Sequence, residues 1–207
     1  SSSTTPGVRP ASTLEALAVV RPWRTSRSVA MAASLEQPRS SGTSVGAVIV
    51  DSAVYRHGVR LPVDCHRRDY RALREAASAE HDFVWVGLFE PSHDELSDIA
   101  DAFDLHPLAV EDAVVAHQRP KLERYDDSLF LVLKTLWYVD EDDAVETGEI
   151  NLFLGSDFVV SVRHGRGGGL HDARLALEQR EKVLAHGPSA VVYAVCDQVV
   201  DVYGSVT

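Results

Sequence analysis

The segment from Phe83 to Glu90 limits the possible folds most strongly. It alternates Phe83, Trp85, Gly87 and Phe89 with Val84, Val86 and Leu88. Successive side chains of a strand point to opposite faces, so both faces of this strand are apolar. A strand of that kind has to be covered on both sides. A sheet lying between two helical layers is the simplest answer.

The patterning around it supplies those layers. Order is expected from Val45, where VGAVIVDSAVYRHGVRLP reads as a strand, a turn near Arg56-His57-Gly58 and a short second strand. His66 to Ala79 reads as a helix, with Tyr70, Leu73 and Ala77 along one side. Ser92-His93-Asp94-Glu95 has the capping-box pattern and opens a helix whose apolar stripe is Leu96, Ile99, Ala100 and Phe103. Asp104 and Pro107 open a shorter helix that Pro120 stops.

The second half is strand-rich. Lys121 to Arg124 and Ser128 to Tyr138 flank a Tyr125-Asp126-Asp127 turn. Glu149 to Leu154 and Phe158 to Arg163 pair around Gly155-Ser156-Asp157, with DEDDAVETG before them as an acidic loop. Short turns of this kind join antiparallel neighbours. Leu170 to His186 reads as one helix, and Gly187-Pro188-Ser189 caps a last helix that runs toward Thr207 with no stop signal. The expected fold class is α+β or α/β, a mixed β-sheet sandwiched between helices (an α/β/α sandwich). Three parts are expected: a flexible N-terminal tail over 1–44, the sandwich over 45–187, and the start of a long, truncated helical section over 188–207.

Charge narrows the function. The chain carries a net charge of −11, and it is unevenly spread. Residues 1–44 hold five arginines and two acids, whereas residues 45–207 hold 15 bases and 29 acids. So acidic a body repels phosphate backbones, which argues against a nucleic-acid partner, and it concentrates cations near its surface. The tail lacks the apolar core of a secretory signal. The longest apolar run, Ala190 to Cys196, is far short of the ~18 residues of a membrane helix, so the chain as given reads as soluble. Cys65 and Cys196 form neither a zinc cluster nor a disulfide framework, which suits a reducing cytosol.

The stretch Phe103 to Lys134, FDLHPLAVEDAVVAHQRPKLERYDDSLFLVLK, places a helix, the acidic pair Glu111-Asp112, an Arg-Pro-Lys break and a long apolar strand in immediate succession. Other possible chemistry is weaker. His106 and His117 lie eleven apart, but Pro107 and the break near Pro120 leave too little helix to hold zinc between them. His106 is better read as stabilising a helix start. Arg166-Gly167-Gly168-Gly169 lacks the Gly-Lys-Ser/Thr of a phosphate loop, Ser92-His93-Asp94 is a cap rather than a catalytic relay, and residues 140–143 read as a solvated hairpin loop.

The order and spacing of Phe103–Lys134 resemble the cytoplasmic domain of CorA-type magnesium transporters, in the two-transmembrane metal ion transporter superfamily. NLFLGSDFVVSVR and VVYAVCDQVVDVY extend the resemblance over roughly residues 80–203. The resemblance implies an α/β/α sandwich and a regulatory, metal-sensing role without enzymatic chemistry. It implies magnesium as a regulatory ion, held by acidic side chains between identical subunits of a homopentamer at the cytoplasmic face of the membrane. By motif, Asp112 is the main metal ligand, with Glu111 beside it and Asp197 on the last helix. Asp201 lies one turn beyond Asp197 on the same helix face. Magnesium loses water reluctantly and is commonly held by one or two carboxylates, which makes such a site weak enough to sense a concentrated ion. Two alternatives stay open: the same domain of a zinc or other divalent-cation transporter, and a free-standing metal-binding adaptor. The pore segment that would choose between them is not in this sequence.

Overall fold

A computed structural model describes residues 48–63, 69–139, 144–166 and 169–206. A seven-stranded sheet carries the fold. Its strands are β1 (Val48–Arg56), β2 (Val59–Leu61), β3 (Phe83–Phe89), β4 (Lys121–Tyr125), β5 (Ser128–Val139), β6 (Ala144–Leu154) and β7 (Phe158–His164). They lie in the order β2-β1-β3-β7-β6-β5-β4. Only the central β3–β7 pair is parallel, with Val84 opposite Phe158 and Leu88 opposite Val162; every other pair is antiparallel.

Helices cover both faces. On one lie α1 (Tyr70–Ala76), α2 (His93–Phe103) and α3 (Pro107–Val115); on the other lie α4 (His171–Glu178), α5 (Glu181–Leu184) and α6 (Pro188–Val206). The two faces of β3 divide as its alternation requires. Val84, Val86 and Leu88 join Leu96, Ile99, Phe103 and Val110 in one core, while Phe83 and Trp85 join Leu177, Leu184, Val191 and Val195 in the other. Each large apolar side chain so buried contributes roughly 1.5–3 kcal/mol. The layered α/β/α architecture expected from the sequence is present.

Local signals hold where their chemistry is local. Ser92 accepts from the Glu95 amide and Glu95 reaches back to the Ser92 amide, completing the capping box of α2. His106 caps α3, its Nδ1 accepting from the Leu108 amide at 3.3 Å, with Pro107 in the first turn.

Three expectations need correction. Of the helix foreseen over His66–Ala79, the described residues form Tyr70–Ala76, which ends short of Ala79; the carboxylate of its N-cap Asp69 accepts from the Ala72 amide. The acidic segment before Glu149 is partly strand: β6 begins at Ala144, because the register with β5 runs on to Val139 and supplies ladder hydrogen bonds to exposed residues. The helix foreseen over Leu170–His186 is divided in two at Arg180, whose φ of −119° and ψ of 59° leave the helical region. Gly58, in the β1–β2 turn at φ +83°, packs there so closely that a Cβ would lie 2.0 Å from the Glu181 carbonyl oxygen. The expected tail over 1–44, the loop at 140–143, Cys65 and the start of the first helix at His66 lie outside the described residues.

Candidate metal-sensing site

The site grows from the junction of α3 and β4. Helix α3 buries Ala109, Val110 and Ala113 against the sheet and leaves Glu111 exposed and Asp112 half-buried. The chain leaves the helix through Ala116 and His117, both at positive φ (56° and 62°), and enters β4 at Lys121. Along β4 the two-residue period puts Lys121, Glu123 and Tyr125 on one face. That is the face carrying α3, so Lys121 returns beneath the helix that precedes it.

The result is a chain of charge-assisted contacts. Lys121 Nζ donates to Asp112 Oδ2 at 2.7 Å and to Glu123 Oε2 at 2.8 Å, and the Tyr125 hydroxyl donates to the same Glu123 oxygen at 2.8 Å. The Phe130 ring lies beneath the ammonium, 5.6 Å away. The two carboxylates hold the Lys121 ammonium well above the usual lysine range. Lys121, with help from the Tyr125 hydroxyl, holds Glu123 below the usual carboxylate range. Burial, then the Glu123 bond, pushes the Tyr125 phenol up.

Two anchors fix α3 on the sheet. His164 Nε2 donates to the Ala113 carbonyl at 2.7 Å, which requires the proton on that nitrogen because a carbonyl only accepts. Glu149, 2% exposed, accepts from the Gln118 amide at 2.9 Å, from Lys134 Nζ at 2.8 Å and from Asn151 Nδ2 at 3.0 Å. Beyond the far end of β4, a cleft of about 750 Å³ is lined by Arg74, Asp104, His106, Tyr125 and Asp157 among others. In it Arg74 bonds both Asp104 and Asp157, and the His106 ring stacks on Tyr125 at 4.1 Å.

The four carboxylates expected to hold metal do not meet within one chain. Asp112 and Glu111 ride on α3, on one face of the sheet; Asp197 and Asp201 ride on α6, on the other. Asp197 and Asp201 do share a side of α6. Partial burial and then the Asp201 charge push the Asp197 carboxyl up, while Arg180 pulls it down. Among the described residues no group of three or more His, Cys, Asp or Glu side chains could hold a metal ion. The chemistry of the donors still fits a hard cation: each set offers carboxylate oxygens, and at Asp112 an ammonium already fills the place of a cation.

Lys121, Glu123 and Tyr125 are not among the residues singled out from the sequence. The signal was available, since Lys-x-Glu-x-Tyr at strand spacing puts all three on one face.

The model of the family described as CorA-like Mg2+ transporter protein matches residues 80–207. The chain belongs to this family. Its CorA-family relatives include the putative metal ion transporter YfjQ of Bacillus subtilis, 35% identical over 121 residues, which are 58% of this chain and 37% of the relative. The cobalt/magnesium transport protein CorA of Thermotoga maritima is 26% identical over 111 residues, 53% of this chain and 32% of the relative. The CorA-family segment thus spans about a third of the length of these relatives. The fold is similar to full-length CmaX (TM-score 0.57, 17% identity, 81% of this chain and 49% of that one). It is also similar to the soluble domain of CorA from Methanocaldococcus jannaschii (TM-score 0.52, 13% identity, 77% and 60%). No helix among the described residues is long and apolar enough to cross a membrane.

Proposed function

We propose that this chain is the cytoplasmic, cation-sensing part of a CorA-like magnesium transporter, with residues 45–187 as the sensing body and the helix from 188 leading toward the pore segment. It acts without making or breaking bonds. Identical subunits, five in the assembled transporter, share magnesium between Asp112 of one copy and acidic side chains of the next. Bound magnesium favours a closed arrangement of subunits and its loss frees them, a population shift driven by differential binding.

One observation carries the reading: Asp112, with Glu111 beside it, stands on the helix next to the edge strand β4, whereas Asp197 and Asp201 stand across the sheet. A single copy supplies one side of a site, and a second copy is needed to complete it. The exposed apolar residues Leu108 and Val115, four before and three after Asp112 on α3, flank it and suit a covered surface. Carboxylate oxygens favour magnesium over zinc as the sensed ion, because zinc prefers nitrogen and sulfur donors. The relatives' names support metal ion transport as the activity of the whole protein.

Sedimentation of the 207-residue chain with and without ~10–20 mM magnesium, a range suited to weak carboxylate sites, tests the reading. The expected result is a mass that rises with magnesium in the wild type and not in Asp112→Asn. A wild-type mass independent of magnesium would overturn it.

A further inference from the structure

We infer that Lys121 is a built-in competitor for the cation at Asp112 and so sets how weakly the domain binds magnesium. This rests on the sensing role of Asp112 and names the residue that tunes it. The Lys121 ammonium lies 2.7 Å from Asp112 Oδ2 and 2.8 Å from Glu123 Oε2. One monovalent cation therefore bridges two carboxylates and offsets one of their two negative charges. One or two carboxylates gathered on a single cation are what a hydrated magnesium ion commonly takes from a protein.

The arrangement is built by the sheet and is not a chance surface contact. Lys121 and Glu123 pair with Val132 and Phe130 on β5, which sets both on the α3 side of the edge strand. The Tyr125 hydroxyl holds Glu123 in place, and the Lys121 side chain is only 26% exposed above Phe130. A divalent ion approaching Asp112 must displace the ammonium or sit beside it, and two like charges a few ångströms apart repel strongly at a partly desolvated surface. The lysine also offsets one of the two carboxylate charges when no metal is bound. Sensing is thereby moved to concentrated magnesium.

The test is calorimetric titration of magnesium into the 207-residue chain. Lys121→Met is expected to bind roughly tenfold tighter, the effect of removing one adjacent positive charge at a half-exposed site. The gain should vanish in the double variant Asp112→Asn/Lys121→Met. Glu123→Gln removes one carboxylate and leaves Lys121 on Asp112 alone, so it should bind several-fold more weakly. Unchanged affinity in Lys121→Met, or a gain that survives Asp112→Asn, would overturn the inference. If thermal melts show Lys121→Met to be unfolded, Glu123→Gln decides, and unchanged or tighter binding there overturns it. An Asp112-dependent gain with no magnesium-dependent mass in any variant would overturn sensing between copies and leave Lys121 as a competitor.

Discussion

Glu149, buried in the middle of β6, accepts the backbone amide of Gln118 at 2.9 Å, tying the break after α3 directly to the sheet. The same carboxylate takes Lys134 Nζ at 2.8 Å. One buried acid thus satisfies an otherwise orphaned amide and a cation at the point where the chain turns from Asp112 back to Lys121. Glu149→Leu should lower stability by about 2–3 kcal/mol, because it strands both donors in a largely dry site. Thermal or denaturant melts at neutral pH would measure the loss. A change within ~0.5 kcal/mol, the size of an ordinary surface substitution, would show that the break holds without it.

Ala116 is held at φ 56° and ψ −170°, a region that L residues rarely adopt, and it is 8% exposed. Glycine adopts such a conformation without the steric cost, which is on the order of 1–3 kcal/mol for other residues. Part of that gain is offset by glycine's freer unfolded chain and the lost methyl contact. Ala116→Gly should therefore stabilise the domain by about 1 kcal/mol, raising Tm by roughly 2–4 °C for a domain of this size. A fall in Tm would mean that the methyl contact outweighs the backbone strain.

Asp82, whose side chain is wholly buried, accepts from Arg56 Nε at 2.9 Å and Nη2 at 2.6 Å and from the Ala79 amide at 3.2 Å. Its bond to Arg56 holds the carboxyl below its ordinary value of 3.8. A carboxyl lowered in the folded state adds stability that is present above the unfolded pKa and lost as pH falls through the folded one. Asp82→Ala should thus cost about 2 kcal/mol at pH 7, with the gap to wild type narrowing below about pH 4. Parallel melts from pH 7 to pH 2 check this, and a gap that stays constant with pH would exclude ionisation as its source.

Gly58 meets the Glu181 carbonyl across the β1–β2 turn, at φ +83°. An added methyl would have to push backbone aside, and the positive φ adds strain of its own. Gly58→Ala should cost about 3 kcal/mol, among the larger single-site effects. Because the contact joins the turn to α5, amide hydrogen exchange in Glu181–Leu184 should accelerate along with the loss of stability.

Much of the fold was legible because its signals are short-range. The apolar alternation of Phe83–Phe89, the Ser92/Glu95 capping box and the His106-Pro107 helix start all act within a few residues, and each appears where the pattern put it. The site was legible only in part. Asp112 stood out by its motif, but its partner Lys121 is nine positions away across a break, in contact only because β4 folds back under α3. The burial of Glu149 carries no periodic signal, because it answers to Lys134 and Gln118, which are distant in sequence.

By itself, then, the sequence determined the elements and the two-sided cover of the sheet, since propensity, capping and hydrophobic period are properties of neighbouring residues. The strand order, which sets Asp112 and Asp197 on opposite faces and brings Lys121 onto Asp112, was decided by the tertiary structure alone. The physical reason is register. A carboxylate's partner is chosen by which strand edge lies beside it and which face its neighbours present, and neither is encoded in any short window of the chain.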